Sequence, residues 1–538
     1  AAQRAYYVGD ASVYLFGKNG EAPNDSILYK NLNIHYYDKL RVRPNMLYRW
    51  MNYQQFVRSK QMRASNRTRL YSQYRQEQVQ EKLSQLGIFS YLDMQYAPRD
   101  TTAACDTLDV TMQATFAKPL DAELELNVVT KSNDQTGPGA SFGVTRNNVF
   151  GGGESWNVKL KGSYEWQTGG GEKSSLMNSW EMGLSTSLTF PRVVFPHLGK
   201  REFDFPATTT FRLYINQLNR AKYYKLLSFG GNATYDFQPS RTSRHSITPF
   251  KLTFNVLQHQ SEDFKEIAEA NPALYVSLRN QFIPAMEYTY TYDNASVRRI
   301  KNPIWWQSTV TSAGNITSLI YRAFGKPFNE EDKSLLGAPF AQFVKLNTEL
   351  RHLWNIDKNN AIASRMAVGA LFTYGNATIA PYSEQFYVGG ANSIRAFTVR
   401  SVGPGGYHPE EGKYSYLDQT GTFRFEANVE YRFRIFKSFW GATFLDAGNV
   451  WLLRKDRKLL ADGTEARPNS QLRLKTFPKQ IALGTGVGIR YDMDILVFRL
   501  DFGIPLHLPY DTDRSGYYNV TGAFLKNLGI HFAIGYPF

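Results

Sequence analysis

From about residue 120 to the C-terminus, apolar and polar residues alternate with a period of two. Across Ser155–Trp166 the even positions are Trp156, Val158, Leu160, Gly162, Tyr164 and Trp166; the odd ones are Ser155, Asn157, Lys159, Lys161, Ser163 and Glu165. In Thr422–Arg434, Phe423, Phe425, Val429, Tyr431 and Phe433 share one face, and Arg424, Glu426, Asn428, Glu430, Arg432 and Arg434 share the other. A period of two sends the two sets to opposite faces of a strand, so each strand meets two different solvents. A soluble sandwich also alternates, but its strands run about 5–6 residues, whereas a tilted membrane strand needs about 9–11. Most segments here run 10 to 14 residues, many with aromatics at their ends, as in a barrel with interfacial girdles. Sixteen segments can be marked, from Leu120–Thr130 to Asn527–Phe538, and an even number closes antiparallel without an edge in lipid. The expected fold is mostly β: a 16-stranded antiparallel transmembrane β-barrel over residues 119–538.

Residues 31–118 follow a different pattern. A strand-like run, Asn31–Tyr37, precedes a stretch in which Leu70, Tyr74, Val79, Leu83 and Leu86 recur at helical spacing. Ser65 and Asn66 are candidate caps at its start, and Gly87 stands where a helix end favours positive φ. The runs Phe89–Tyr96 and Thr107–Phe116 then read as two strands. This describes a small α/β domain, with residues 1–30 expected to be the end of a preceding segment or linker. The chain opens Ala-Ala-Gln without an apolar leader, so a leader has been removed or the sequence begins mid-chain.

Composition sharpens this picture. The 538 residues are 20% charged and 15% aromatic, mean hydropathy is −0.42, and no uncharged apolar run approaches the roughly 18–20 residues of a membrane helix. A helical membrane protein is thereby excluded. The net charge of +15 is dispersed along the chain, which suits anionic lipid head groups and argues against a nucleic-acid partner. The single cysteine, Cys105, closes no internal disulfide, and no Cys/His cluster has metal spacing, so neither a metal nor a cofactor is expected. Nor is an enzyme. Glu426 and Glu430 are four apart on one face but interleave with Arg424, Asn428 and Arg432, which reads as a solvated charge ladder and not a catalytic carboxylate pair. His531, on the small-residue face of the last segment, reads as packing or lumen hydration.

Several motifs carry a family resemblance. The run Phe386-Tyr387-Val388-Gly389-Gly390-Ala391-Asn392-Ser393-Ile394-Arg395-Ala396-Phe397 resembles the sixth-extracellular-loop signature of the BamA/TamA superfamily of outer-membrane assembly proteins: Gly-Gly, a spacer, then Val/Ile-Arg-Gly-Phe. Ala396 stands where the family usually has Gly. Gly441–Trp451 is similar to the family's Phe-x-Asp-x-Gly-x-Val strand, Gly484–Arg490 with Phe498–Asp501 to the next strand pair, and Asn147–Gly153 to the first hairpin. Leu86–Phe89 with Leu108–Thr111 resembles the end of a POTRA domain, which makes residues 31–118 POTRA-like. Residues 376–420 form a 45-residue connection, longer than a hairpin needs and therefore functional or disordered. Such a loop needs an anchor inside the barrel, and Arg395 supplies a planar fork of donors. Glu430 falls on the polar face by parity, the family pattern places it and Asp446 inside, and Arg395 is expected to pair with Asp446 with Glu430 alongside. Two acids facing one Arg call for a second cation or a water; Arg432 and Arg434 lie on the same face.

The resemblance implies a bacterial outer-membrane location with the N-terminal domain in the periplasm. It implies an assembly or translocation factor whose partners are unfolded outer-membrane protein clients, accessory periplasmic or lipoprotein subunits bound through the POTRA-like domain, and outer-membrane lipid. Client strands would enter at a lateral seam between strand 1 (Leu120–Thr130) and strand 16 (Asn527–Phe538), where Gly529 and Gly535 weaken the last strand and Phe538 ends it on an aromatic. The alternative is a dedicated secretion pore or passive transporter for one partner.

Overall fold

The computed structural model describes the chain apart from residues 1–4, 18–19, 31, 54–70, 103–104, 131–134, 168–178, 196–206, 221–223, 263–264, 266–279, 296, 298–299, 329, 331–332, 336, 377–378, 410–418, 456–464, 494–495 and 524–526. The N-terminal α/β domain contains β1 (Tyr7–Phe16), β2 (Asp25–Tyr29), β3 (Leu32–Tyr36), α1 (Pro44–Tyr53), α2 (Gln73–Gln85), β4 (Phe89–Pro98) and β5 (Thr107–Phe116). Its sheet runs β2-β3-β1-β5-β4, with β1 parallel to both β3 and β5. Val13 and Leu15 of β1, Leu32 and Ile34 of β3, and Val110 and Met112 of β5 are buried against Leu47 and Met51 of α1 and Val79 and Leu83 of α2.

The expected boundary at residue 31 is therefore corrected: β1 is the central strand of this sheet. A β-bulge between Val8 and Ala11 breaks the register and hides the period-two signal that Val13 and Leu15 carry. At the bulge a Cβ on Gly9 would stand 2.2 Å from the Asp109 carboxylate. Val79 and Leu83 face the core as the helical spacing requires, and Gly87 takes a φ of +65°. The proposed caps Ser65 and Asn66, and Leu70, lie outside the described residues.

The remainder is one antiparallel sheet of sixteen strands, each hydrogen-bonded to its neighbours in barrel order. It comprises β6 (Leu120–Thr130), β7 (Gln135–Asn147), β8 (Ser155–Gln167), β9 (Ser179–Phe190), β10 (Ala207–Arg220), β11 (Tyr224–Phe237), β12 (Ser243–Gln260), β13 (Gln281–Asp293) and β14 (Ile304–Ala313). After a two-residue-strand hairpin, β15 (Ser334–Leu335) and β16 (Ala338–Pro339), it continues through β17 (Phe343–Asn355), β18 (Asn360–Thr373), β19 (Phe423–Phe436), β20 (Phe439–Trp451), β21 (Ala482–Asp492), β22 (Val497–His507) and β23 (Gly529–Ile534). Outward residues such as Trp156, Leu160, Leu213, Leu252, Val310, Leu346 and Val429 are exposed, and large. Inward residues of β19 (Glu426, Asn428 and Glu430) are buried although polar. This inversion of the soluble rule, apolar outside and polar inside, is the membrane-barrel pattern. Among the described residues no helix is long and apolar enough to cross a membrane.

Two local features differ from the expected strands. The last strand spans Gly529–Ile534 instead of Asn527–Phe538, because Gly535 turns the chain with φ +87°. A short helix, α3 (Asn315–Ala323), follows β14 directly, although residues 304–316 read in the sequence as one of the sixteen strand segments. Gly314 makes the switch at φ +69°, and a Cβ there would stand 2.2 Å from the Ala341 carbonyl.

The two domains touch at the turn between β7 and β8. The Arg43 amide donates to the Gly151 carbonyl at 2.7 Å and Asn148 Nδ2 donates to the Arg41 carbonyl at 2.8 Å. Glu154, buried in that turn, accepts from the Gly152 amide at 2.8 Å.

Candidate functional site

The long connection between β18 and β19 folds back into the barrel. Its signature begins with Gly389 and Gly390, at φ +102° and +94°. A Cβ on Gly389 would stand 2.0 Å from the Thr398 carbonyl, so only glycine permits this close turn. The turn is closed by the Gly390 amide donating to Phe397 O at 2.7 Å and the Gly389 amide donating to Ser393 Oγ at 3.0 Å. Ile394, Ala396 and Phe397 are buried with Phe386 and Val388 against Leu371, Val450 and Ala482 of the barrel wall. Ala396 lies outside the left-handed region, so the position tolerates a side chain. Its Cβ occupies the space beside Gly484, where a second Cβ would lie at 2.4 Å.

The turn delivers Arg395 to the inner face of β19 and β20, where it is fully buried. Its Nε and Nη2 donate to the two oxygens of Asp446 at 2.8 and 2.9 Å, and its own amide donates to Asp446 Oδ2 at 3.0 Å. Nη1 donates to Glu430 Oε2. The guanidinium stacks 3.5 Å from the Phe444 ring centroid, and Gly486 opposite leaves room for that ring, since a Cβ there would be 2.4 Å from it. Arg395, Asp446 and Glu430 thus form one site. A bidentate, stacked and dehydrated guanidinium is where lysine is a poor substitute.

Additional cations complete the cluster. Glu430 also accepts from Arg432 Nε at 2.7 Å and Arg490 Nη2 at 3.0 Å. Arg490 reaches Asp501 at 2.6 Å, with Arg499 at 3.6 Å and Arg395 at 3.8 Å from the same carboxylate. Asn428 Nδ2 donates to Asp446 at 2.9 Å, and Arg499 Nη2 donates to Asn392 of the loop at 2.6 Å. Arg434 is not part of it; its Nε donates to the Lys437 carbonyl. The reading of Glu426 and Glu430 as a solvated ladder is corrected, because both are buried. Glu426 is held by Arg365 at 3.1 Å, by Arg424 at 3.3 Å and by Ser393 Oγ of the loop at 2.6 Å. The loop covers this face of the barrel and shields it from bulk solvent. Among the described residues no His, Cys, Asp or Glu group is arranged to hold a metal.

A family model, the Omp85 superfamily domain, matches residues 148–538. The chain belongs to the Omp85 superfamily. Its fold is similar to that of BamA from Haemophilus ducreyi lacking POTRA domains 1–3, with a TM-score of 0.58 at 14% identity over 99% of this chain and 84% of that one. It also matches CdiB from Acinetobacter baumannii, at a TM-score of 0.48 and 11% identity over 98% of this chain and 74% of the other. The barrel of an Omp85 protein belongs in the outer membrane.

The C-terminal strand of this Omp85 chain reaches the same cluster. His531 Nε2 lies 2.7 Å from the Arg395 carbonyl and shares a hydrogen bond with it. A Cβ on Gly529 would sit 3.2 Å from that same carbonyl, so this glycine admits the loop backbone. The Phe538 carbonyl accepts from Arg432 Nη2 at 3.3 Å, and the Tyr536 ring lies 4.2 Å from the Arg432 guanidinium carbon. Gly535, by contrast, is open, with nothing within 4 Å of a Cβ. No acid stands near His531 in the sequence, which is why it reads there as packing or lumen hydration, yet Asp501 on β22 is its register partner. The site expected from the sequence also left out Arg490, Arg499 and Asp501. Their signal was available in parity: Arg490, Arg499 and Asp501 occupy the inward phase of β21 and β22, and charges that deep in a barrel demand partners.

Proposed function

We propose that this Omp85 protein inserts client β-barrel proteins into the outer membrane. Unfolded clients and accessory subunits meet its N-terminal α/β domain in the periplasm, and client strands pair with the edge of β23. The observation that carries this reading is the length of the last strand: β23 has six residues against eleven in its partner β22. Fewer ladder hydrogen bonds hold it, and Gly529 adds no cross-strand contact on its inner face. A strand edge that opens offers unpaired backbone donors and acceptors, which a client strand satisfies by augmentation. The packing of Phe386, Val388, Ile394 and Phe397 inside the barrel supports this route over a luminal one, since passage through the lumen requires the loop to leave. In this reading Arg395, Asp446 and Glu430 anchor the loop, and the protein works without catalysis or nucleotide.

The test is a disulfide between β6 and β23 in a Cys105→Ser background, scanned over Ala122 or Leu124 against Ile530 or Phe532. A crosslink between Val429 and Leu445, register partners in β19 and β20, is the control. The β6–β23 crosslink should stop client insertion, reduction should restore it, and the control should insert normally. Quantitative crosslinking with normal client insertion overturns the lateral route and favours a dedicated luminal pore.

A further inference from the structure

Helix α3 is amphipathic with its faces reversed. Thr317 and Ser318 are buried, whereas Ile316, Leu319, Ile320 and Phe324 are exposed, Phe324 to 84%. The first three lie within the helix and Phe324 caps its C-terminal end; together they follow the i, i+3, i+4, i+8 spacing of a single helical stripe. A helix standing in water would turn that stripe inward.

The polar side is firmly fixed. Lys333, itself buried, donates through Nζ to Ser318 Oγ at 3.1 Å and to the Phe328 carbonyl at 2.5 Å. Tyr321 donates to the Ser334 carbonyl and packs its ring against Phe340 at 6.0 Å. Asn315 Nδ2 donates to Ser312 Oγ at 2.8 Å. Asn376, at the start of the long loop, donates through Nδ2 to the carbonyls of Lys333 and Phe340 at 2.7 and 2.8 Å. The helix therefore cannot roll its apolar stripe under without breaking a network of buried hydrogen bonds.

The occupant of that stripe follows from where the helix sits. β14 is the ninth barrel strand and runs parallel to β6, away from the N-terminal domain, so α3 lies at the remote end of the barrel. It begins five residues after Val310. Val310 is outward and exposed, and in register with the exposed Tyr288 and Leu346 on either side. That row is part of the lipid-facing band. We infer that α3 lies along the membrane boundary at the barrel end remote from the N-terminal domain, its Ile316, Leu319, Ile320 and Phe324 stripe immersed in the acyl region of the lipid leaflet. Arg322 and Lys326, both exposed, reach the head-group level, as basic residues on interfacial helices do. The helix thus ties the loops between β14 and β17, and through Asn376 the start of the long loop, to the lipid surface. This inference depends on the barrel being in a membrane and not on whether the protein inserts clients or secretes them.

Nitroxide labels on single cysteines at Ile316, Leu319, Ile320, Arg322 and Phe324, in the Cys105→Ser full chain, test it in phosphatidylcholine–phosphatidylglycerol vesicles. Collision with oxygen is compared with collision with a water-soluble nickel chelate. Labels at 316, 319, 320 and 324 should show the lipid-phase ratio found at Val310, and the label at 322 should shift toward the aqueous ratio found at the exposed Lys358. The helical periodicity of the readout separates immersion from general shielding, and five independent sites guard against one damaged variant. Aqueous ratios at 316, 319 and 320 overturn the inference. So does dipolar broadening between labels that disappears on dilution with unlabelled protein, because a second copy then covers the stripe.

Discussion

Two arginines in this chain are each flanked by two carboxylates, and their surroundings could hardly differ more. In the N-terminal domain Arg99 lies 2.7 Å from Asp109 and 2.6 Å from Asp10, with side chains 44%, 37% and 77% exposed. In the barrel Arg395 holds Asp446 at 2.8 Å and Glu430 closer still, with side chains at most 1% exposed. Water screens the first set and supplies alternative partners to each group. The second set is shielded from bulk solvent, so each charge depends on the others. The bond lengths are similar; the cost of losing one member is not.

The largest effect follows from Arg395→Ala. Removing the guanidinium leaves Asp446 and Glu430 short of a partner in a dehydrated site, which costs about 3–5 kcal/mol for a broken buried pair. The barrel should persist while the 376–420 loop becomes protease-sensitive and, on the proposed function, client insertion falls. Limited proteolysis in membranes, beside an insertion assay, checks both; wild-type loop resistance would remove Arg395 as the anchor. Arg395→Lys should remain impaired, since an ammonium cannot serve Asp446 in two directions and stack on Phe444.

A middle-sized effect is expected at His531. Replacement by Ala leaves the Arg395 carbonyl without its side-chain donor, a loss of about 1–3 kcal/mol for a buried group left unpaired. This bond joins the loop to the last strand. Hydrogen exchange should therefore quicken in β23 and in residues 389–400 together. Faster exchange in only one of the two would show that His531 packs locally and does not couple them.

How much of this contrast the sequence reveals depends on which physics controls each part. Period-two alternation, with aromatic ends, was sufficient for the sixteen strands, because two solvents act on every residue of every strand. Arg395 was legible through the resemblance of its Gly-Gly-x-x-x-Ile-Arg run to a family loop signature, and the positive φ and close approach of Gly389 explain why that run needs glycine. β1 was missed because its bulge at Val8–Ala11 interrupts the alternation on which the reading relied. The end of β23 was missed because Gly535 reads as an alternating small residue until its φ is known. Parity places Arg490, Arg499 and Asp501 on the inward phase, but it does not tell whether water or a folded-in loop covers a charge there, and so their part in the cluster was missed. Burial of the lumen is decided by residues about a hundred positions away, as Asn392 and Arg499 illustrate.

The smallest effect is expected at Arg99, and it tests the exposed half of the comparison. The Arg99 hydrogen bonds hold the Asp109 carboxyl below its ordinary range. A carboxylate with a depressed folded-state pKa contributes stability above its unfolded value, about 3.9 for Asp, and loses it as pH falls through the lower folded value. At neutral pH that contribution is fully present, but a screened surface pair is worth little. Arg99→Ala should therefore leave hydrogen exchange in β1 and β5 of the full chain almost unchanged at pH 7 and physiological salt. A modest excess over wild type should emerge at low ionic strength. Below the folded-state pKa of Asp109 the variant and the wild type should converge, because the protonated carboxyl no longer distinguishes them. An effect at pH 7 as large as that of Arg395→Ala would mean that exposure does not separate the two clusters, and the difference in solvent would then explain neither.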